Sequence, residues 1–126
     1  MSIRKPTEAE LAILQVLWRH GPCTVRQVHE ELSQEKQSGY TTTLKLLQIM
    51  AGKGLVQRDE SERSHVYRAR LSEEKTQRHL VDDLLDRAFG GSAQKLVMRA
   101  LASKKTTPKE LTEIRKLLDE LEGGAP

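Results

Sequence analysis

The sequence predicts a mainly α protein with a small two- or three-stranded β wing. Residues 1–71 read as a winged helix-turn-helix domain and residues 72–126 as a helical dimerisation domain. Three observations lead there. The stretch Gly39 to Val56, GYTTTLKLLQIMAGKGLV, has the pattern of one amphipathic helix with a polar front, a leucine-rich back and a glycine stop. A short basic hairpin, RDESERSHVYRA from Arg58 to Ala69, follows at once. The remainder carries three short, strongly apolar helices with nothing in the sequence to cover them.

The first helix opens at Thr7, where Thr7 and Glu10 form a Thr-x-x-Glu capping box, and Leu11, Leu14, Leu17 and Trp18 form its buried stripe. His20-Gly21-Pro22 ends it. Thr24 starts a second helix with Gln27 as its box partner and Val25, Val28 and Leu32 as apolar positions. The polar run Ser33 to Gly39 is a loop. A third helix spans about Thr41 to Gly52, and Gly54 stops it. Leu55-Val56 begins a strand, Asp59 to Ser64 is a tight polar turn, and His65 to Ala69 alternates as a returning strand. The short turn before the second helix and the loop before the third fit a helix-turn-helix core. Ser72 caps a fourth helix with Glu73 and Glu74 at its positive end, Gly90-Gly91 breaks it, and Ser92 caps a fifth. Thr107-Pro108-Lys109-Glu110 opens a sixth with proline at its first position, and Gly123 to Pro126 is a frayed tail.

The fourth to sixth helices repeat apolar side chains at spacings of three and four. They are Leu80, Val81, Leu84, Leu85 and Phe89, then Leu96, Val97 and Leu101, then Leu111, Ile114, Leu117, Leu118 and Leu121. A unit this small buries too little of its own surface to stand alone. A second copy of the chain is the economical cover, which makes these residues the candidate dimer interface. The alternative is that they fold back on the N-terminal domain.

Composition narrows the function. Aromatic residues are 3% of the chain, which speaks against an aromatic-lined cofactor pocket and against single-strand binding by base stacking. No cofactor is expected. No apolar run approaches the ~18 residues of a membrane helix, and the start, Met1 to Pro6, lacks the apolar core of a signal peptide. The single cysteine, Cys23, excludes an internal disulfide. A cytoplasmic protein without membrane insertion is expected. Cys23 sits in a turn with no charge that clearly lowers its pKa, so a structural thiol is expected rather than a redox sensor. His20, His29, His65 and His79 are dispersed, without metal-ligand spacing, and no nucleophile elbow or phosphate-cradling glycine loop occurs. The chain is not expected to be an enzyme.

The net charge of +3 is unevenly spread. Residues 36–70 hold 7 basic and 3 acidic residues, whereas residues 72–126 are balanced at 10 and 10. The excess therefore falls on the third helix and the hairpin, as for a polyanion partner, although a solvated face carries charge too. Steps of 100° place Thr43, Leu46, Leu47 and Met50 on the packing side of the third helix, with Leu44 and Ala51 at its edge. Thr41, Thr42, Lys45, Gln48 and Ile49 fall on the other side, free to enter a major groove. Hydroxyls and free N–H groups near the helix start suit phosphate oxygens. Lys45 suits guanine O6 or N7, and Gln48 suits adenine N6 and N7. In the hairpin, Arg58, Arg63, His65, Tyr67 and Arg68 are placed to approach the backbone or minor groove, with Arg63 at the tip and Tyr67 equally suited to packing. Asp59, Glu60 and Glu62 are suited to pair with those arginines and fix the turn. Double-stranded operator DNA is the expected partner. The competing class is a winged-helix protein-interaction module indifferent to DNA.

The whole pattern resembles the penicillinase-repressor family of bacterial transcriptional regulators, the BlaI/MecI/CopY type. The resemblance rests on Thr7-Glu8-Ala9-Glu10 with Leu14 to Trp18, on Tyr40-Thr41-Thr42 with Leu46-Leu47 and Lys53 to Val56, on Arg63, Val66 and Tyr67, and on Phe89 to Ser92 followed by Leu96-Val97. It implies a homodimer on a palindromic operator that blocks transcription. It further implies relief by proteolysis within the dimerisation region, triggered by a membrane-anchored sensor metalloprotease that signals a β-lactam or other stress. Three departures stand out. Ile49 occupies a position where many members carry arginine. The tail Leu121 to Gly124 lacks the paired cysteines of copper-responsive members. The asparagine–phenylalanine cleavage dipeptide of β-lactam-responsive members is replaced near Arg99-Ala100.

Overall fold

The computed structural model describes residues 5–33 and 39–123; the centre of the polar loop expected between Ser33 and Gly39 and the end of the expected frayed tail lie outside them. The described elements run α1 (Glu8–His20), β1 (Cys23–Thr24), α2 (Val25–Ser33), α3 (Tyr40–Lys53), β2 (Val56–Asp59), β3 (Val66–Ala69), α4 (Glu73–Ala88), α5 (Ala93–Ser103) and α6 (Pro108–Gly123). The architecture is the mainly helical, winged one that the sequence predicts, with a three-stranded antiparallel wing in the order β1-β3-β2. The third strand, Cys23-Thr24, is too short to show alternation in sequence. It forms because β3 presents a free edge, on which Cys23 pairs with Tyr67 and Thr24 with Val66.

Side chains and glycines set most helix ends. The Thr7–Glu10 box closes α1 reciprocally, at 3.2 Å from the Glu10 N–H to the Thr7 hydroxyl and 2.8 Å from the Thr7 N–H to the Glu10 carboxylate. Thr24 and Gln27 do the same for α2. Ser72, Ser92 and the Thr107–Glu110 box close α4, α5 and α6. Among the described helices, α3 alone begins without a side-chain cap, at Gly39. At its other end Gly54 takes φ +83°, and Leu55 donates back to the Met50 carbonyl at 2.9 Å, which turns the chain directly into β2.

The core of the first unit gathers Ile13, Leu14, Val16 and Leu17 of α1, Val25 and Val28 of α2, Leu47 and Met50 of α3, and Cys23, Leu55, Val56 and Tyr67 around the sheet. Each large side chain so buried contributes roughly 1.5–3 kcal/mol relative to exposure. The buried stripe of α1 is wider than expected, because this helix packs against α2, α3 and β3 and so buries Ile13 and Val16 as well. Leu11 and Trp18 lie at its margin, half-buried, and the Trp18 indole N–H donates to the Leu71 carbonyl at 3.0 Å.

The chain divides into two compact units, Met1–Asp82 and Asp83–Pro126. The first therefore takes in the start of α4, where Thr76 is buried. In the second, α5 and α6 bury no residue fully. Leu85, Phe89, Leu96, Leu101, Leu111 and Ile114 are half-buried, while Leu84, Val97, Leu117, Leu118 and Leu121 are exposed. Met98, which the periodicity did not single out, is exposed beside them. Of the two candidate interface residues in the first unit, Leu80 is half-buried and Val81 exposed.

Candidate nucleic-acid interface

The outward face of α3 exists because its inward face is locked. Thr43, Leu47 and Met50 are buried, and the Thr43 hydroxyl lies 3.5 Å from His29 Nδ1 of α2. The His29 ring meets Tyr40 edge-on at 5.8 Å, fixing the start of the helix. The Lys53 ammonium at the end of α3 bonds both oxygens of Glu10, at 2.9 and 2.8 Å. Glu10 is only 2% exposed. Burial is the largest single influence on its carboxyl and opposes ionisation. The Lys53 ammonium and the Thr7 hydrogen bonds together outweigh it and hold the carboxyl below its usual range. With the helix held at both ends, Thr41, Thr42, Lys45, Gln48 and Ile49 all point to solvent, Ile49 with 46% of its surface exposed.

A cleft of about 450 Å³ lies between α2, α3 and the wing. It brings Gln48 of the outward face together with Arg58, Arg63 and His65 of the hairpin. It also recruits Thr24 and Arg26, which the sequence did not single out because β1 and the start of α2 lie far from the hairpin along the chain, and Tyr40 and Ser64, which flank residues it did single out. No carboxylate lines it.

Register decides which hairpin residues reach that cleft. Val56 pairs with Ala69 and Arg58 with Tyr67, so these four share the inward face of the sheet. Tyr67 is 1% exposed. On the central strand and facing inward, its ring packs in the core, the second of the two roles the sequence left open, while its hydroxyl end still lines the cleft beside Arg58. Arg58 continues that face beyond the core. Its guanidinium bonds the Tyr67 hydroxyl and the Glu60 carboxylate, the latter at 2.6 Å, and both hold it more firmly charged. Arg68 pairs with Gln57 on the opposite face and lines a separate shallow depression with Trp18, Pro22 and Arg70, so it does not join the cleft. At the tip, the Ser61 N–H donates to Asp59 at 2.9 Å; this and the Ser61 side chain draw the Asp59 carboxyl below its usual value and fix the turn.

The remaining ionisable features do not make a reactive site. Burial, and then the Glu31 charge, push the Cys23 thiol up, away from the thiolate form that reacts. Among the described residues no group of three or more His, Cys, Asp or Glu is placed to hold a metal ion, and no helix is long and apolar enough to cross a membrane.

Comparisons with known proteins agree with this geometry. The family model for the penicillinase repressor matches residues 6–120. The chain is 34% identical over 119 residues to the transcriptional regulator BlaI of Mycobacterium tuberculosis, covering 93% of this chain and 85% of that one. It is 24% identical over 114 residues to the penicillinase repressor of Bacillus licheniformis, covering 90% and 89%. Among solved structures, the Bacillus licheniformis BlaI monomer in complex with the blaP half-operator superposes with a TM-score of 0.51 at 26% identity, over 58% of this chain and 89% of that one. The DNA-binding domain of the repressor BlaI gives a TM-score of 0.52 at 26% identity, over 57% and 88%. The family read from the sequence is thus borne out: the chain belongs to the penicillinase repressor family, and it is a winged-helix, DNA-binding transcriptional repressor rather than an enzyme.

Proposed function

We propose that this repressor works in the cytoplasm as a homodimer on a palindromic operator, with residues 1–71 binding DNA and 72–126 holding the two copies together. The observation that carries the reading is the locked helix α3, whose outward face of Thr41, Thr42, Lys45, Gln48 and Ile49 continues into a cleft lined by arginines and free of carboxylates. Each protomer places α3 in a major groove, with half-sites about one helical turn or a multiple apart. Lys45 and Gln48 read base edges, Ile49 packs on a thymine methyl, and the wing arginines hold phosphates. The BlaI complex with a half-operator supports this placement. Repression is relieved by proteolysis within the C-terminal unit, through a membrane-anchored sensor metalloprotease. Cutting there separates the pairing function from the DNA-binding one.

Selection of binding sites from a random duplex pool tests the reading. An inverted repeat should be enriched, with affinity falling steeply as salt rises. Lys45→Ala should lose roughly 1–3 kcal/mol of preference for that repeat over random duplex. An unenriched pool, with no salt-dependent retention on duplex, would instead favour a protein-interaction module.

A further inference from the structure

We propose that the cleft between α2, α3 and the wing seats one phosphate of the DNA backbone, and that Arg26 of α2 clamps it together with Arg63 of the wing tip. The inference rests on the operator-binding reading and adds a third element, α2, to the interface. Three observations carry it. First, Arg26 and Arg63 both line the cleft and neither makes an ion pair among the described residues, whereas Arg58 beside them is paired with Glu60. The two arginines keep their donors for a ligand, and the lining offers no carboxylate to meet them. Second, the backbone that carries the exposed Arg26 side chain is fixed from both sides. The Thr24–Gln27 box fixes the start of α2, and the pairing of Thr24 with Val66 ties that start to the wing. Third, Gln48 belongs both to the cleft and to the outward face of α3. A strand whose bases face α3 therefore runs its backbone past the cleft. A phosphate oxygen pair suits two guanidinium groups as charge-assisted acceptors.

The test uses the full chain and a labelled mixed-sequence duplex, titrated by fluorescence anisotropy at several potassium chloride concentrations. Arg26→Ala should weaken binding about tenfold at low salt and flatten the slope of log affinity against log salt by about one per protomer. Arg26→Lys should restore the slope. Arg26→Ala combined with Arg63→Ala should lose less than the product of the two single losses, because the two side chains share one phosphate. Unchanged melting temperatures show that the variants fold. Arg26→Ala with wild-type affinity and slope overturns the clamp alone, and so does a loss of affinity at unchanged slope, which marks a structural role. A wild-type chain that fails to bind the duplex overturns the operator-binding reading, and the clamp with it.

Discussion

At the scale of single residues, the most consequential contact is one that local sequence pattern does not reveal. Glu10 is legible as a capping-box partner and Lys53 as a cation near a helix end, but their pairing spans 43 positions. Only the crossing of α1 and α3 creates it. The pair has a pH signature. The folded-state pKa of Glu10 lies below its ordinary value of 4.5, so the native state binds fewer protons than the unfolded state in mildly acidic solution. The stabilisation is fully present above that value and is lost as pH falls through the depressed one. Glu10→Gln should cost about 1–2 kcal/mol at neutral pH, less than a fully dry pair because the Lys53 side chain is 24% exposed. Urea unfolding should show that cost shrinking as the pH is lowered beneath the ordinary carboxylate range. A cost that stays constant with pH would remove the ion pair as its cause. Tyr67 teaches a related lesson. Alternation along β3 leaves its side open, and only the addition of β1 makes β3 central and its inward ring fully covered.

At the scale of elements, helices were the legible part, because each announces its own ends. The threonine and serine caps, the Gly54 stop and the Gly90-Gly91 break, where both glycines take positive φ, are local chemistry that needs no tertiary partner. The division of α3 into two faces was legible for the same reason, since 100° steps place Thr43, Leu47 and Met50 together, and these are the residues it buries. Strand β1 and the α2 contribution to the cleft were not legible, since both depend on a hairpin folding back across forty residues or so of chain (roughly the span from β1 to β3). The uncapped start of α3 sets this helix apart from the other five. Gly39→Asp offers the missing acceptor and should stabilise the free protein by a few tenths of a kcal/mol (roughly 0.3), because glycine is itself a tolerated N-cap. Its charge would sit where phosphate oxygens approach, so duplex affinity should fall as thermal stability rises. Equal or tighter binding would show that the N–H groups at the start of α3 do not face DNA.

At the scale of the whole molecule, the contrast between the two units matters most. The first owns a core that runs through three helices and a sheet. The second presents Leu84, Val97, Met98, Leu117, Leu118 and Leu121 to solvent in a single copy. Sequence periodicity found most of that surface but could not say how much of it one copy would cover, because half-burial is set by how helices cross and not by their stripes. Leu84→Asp should shift sedimentation toward monomer and weaken operator binding about a hundredfold or more, since each half-site then binds alone. Dimers that persist would place the interface elsewhere. The exposed surface also bears on gene control. If pairing completes the second unit, abundance becomes part of the repressor's structure. While most copies are single, the paired form grows as the square of the amount synthesised. Halving the amount of chain would then cut the paired form roughly fourfold, so a fall in abundance alone would loosen repression before any inducer arrives.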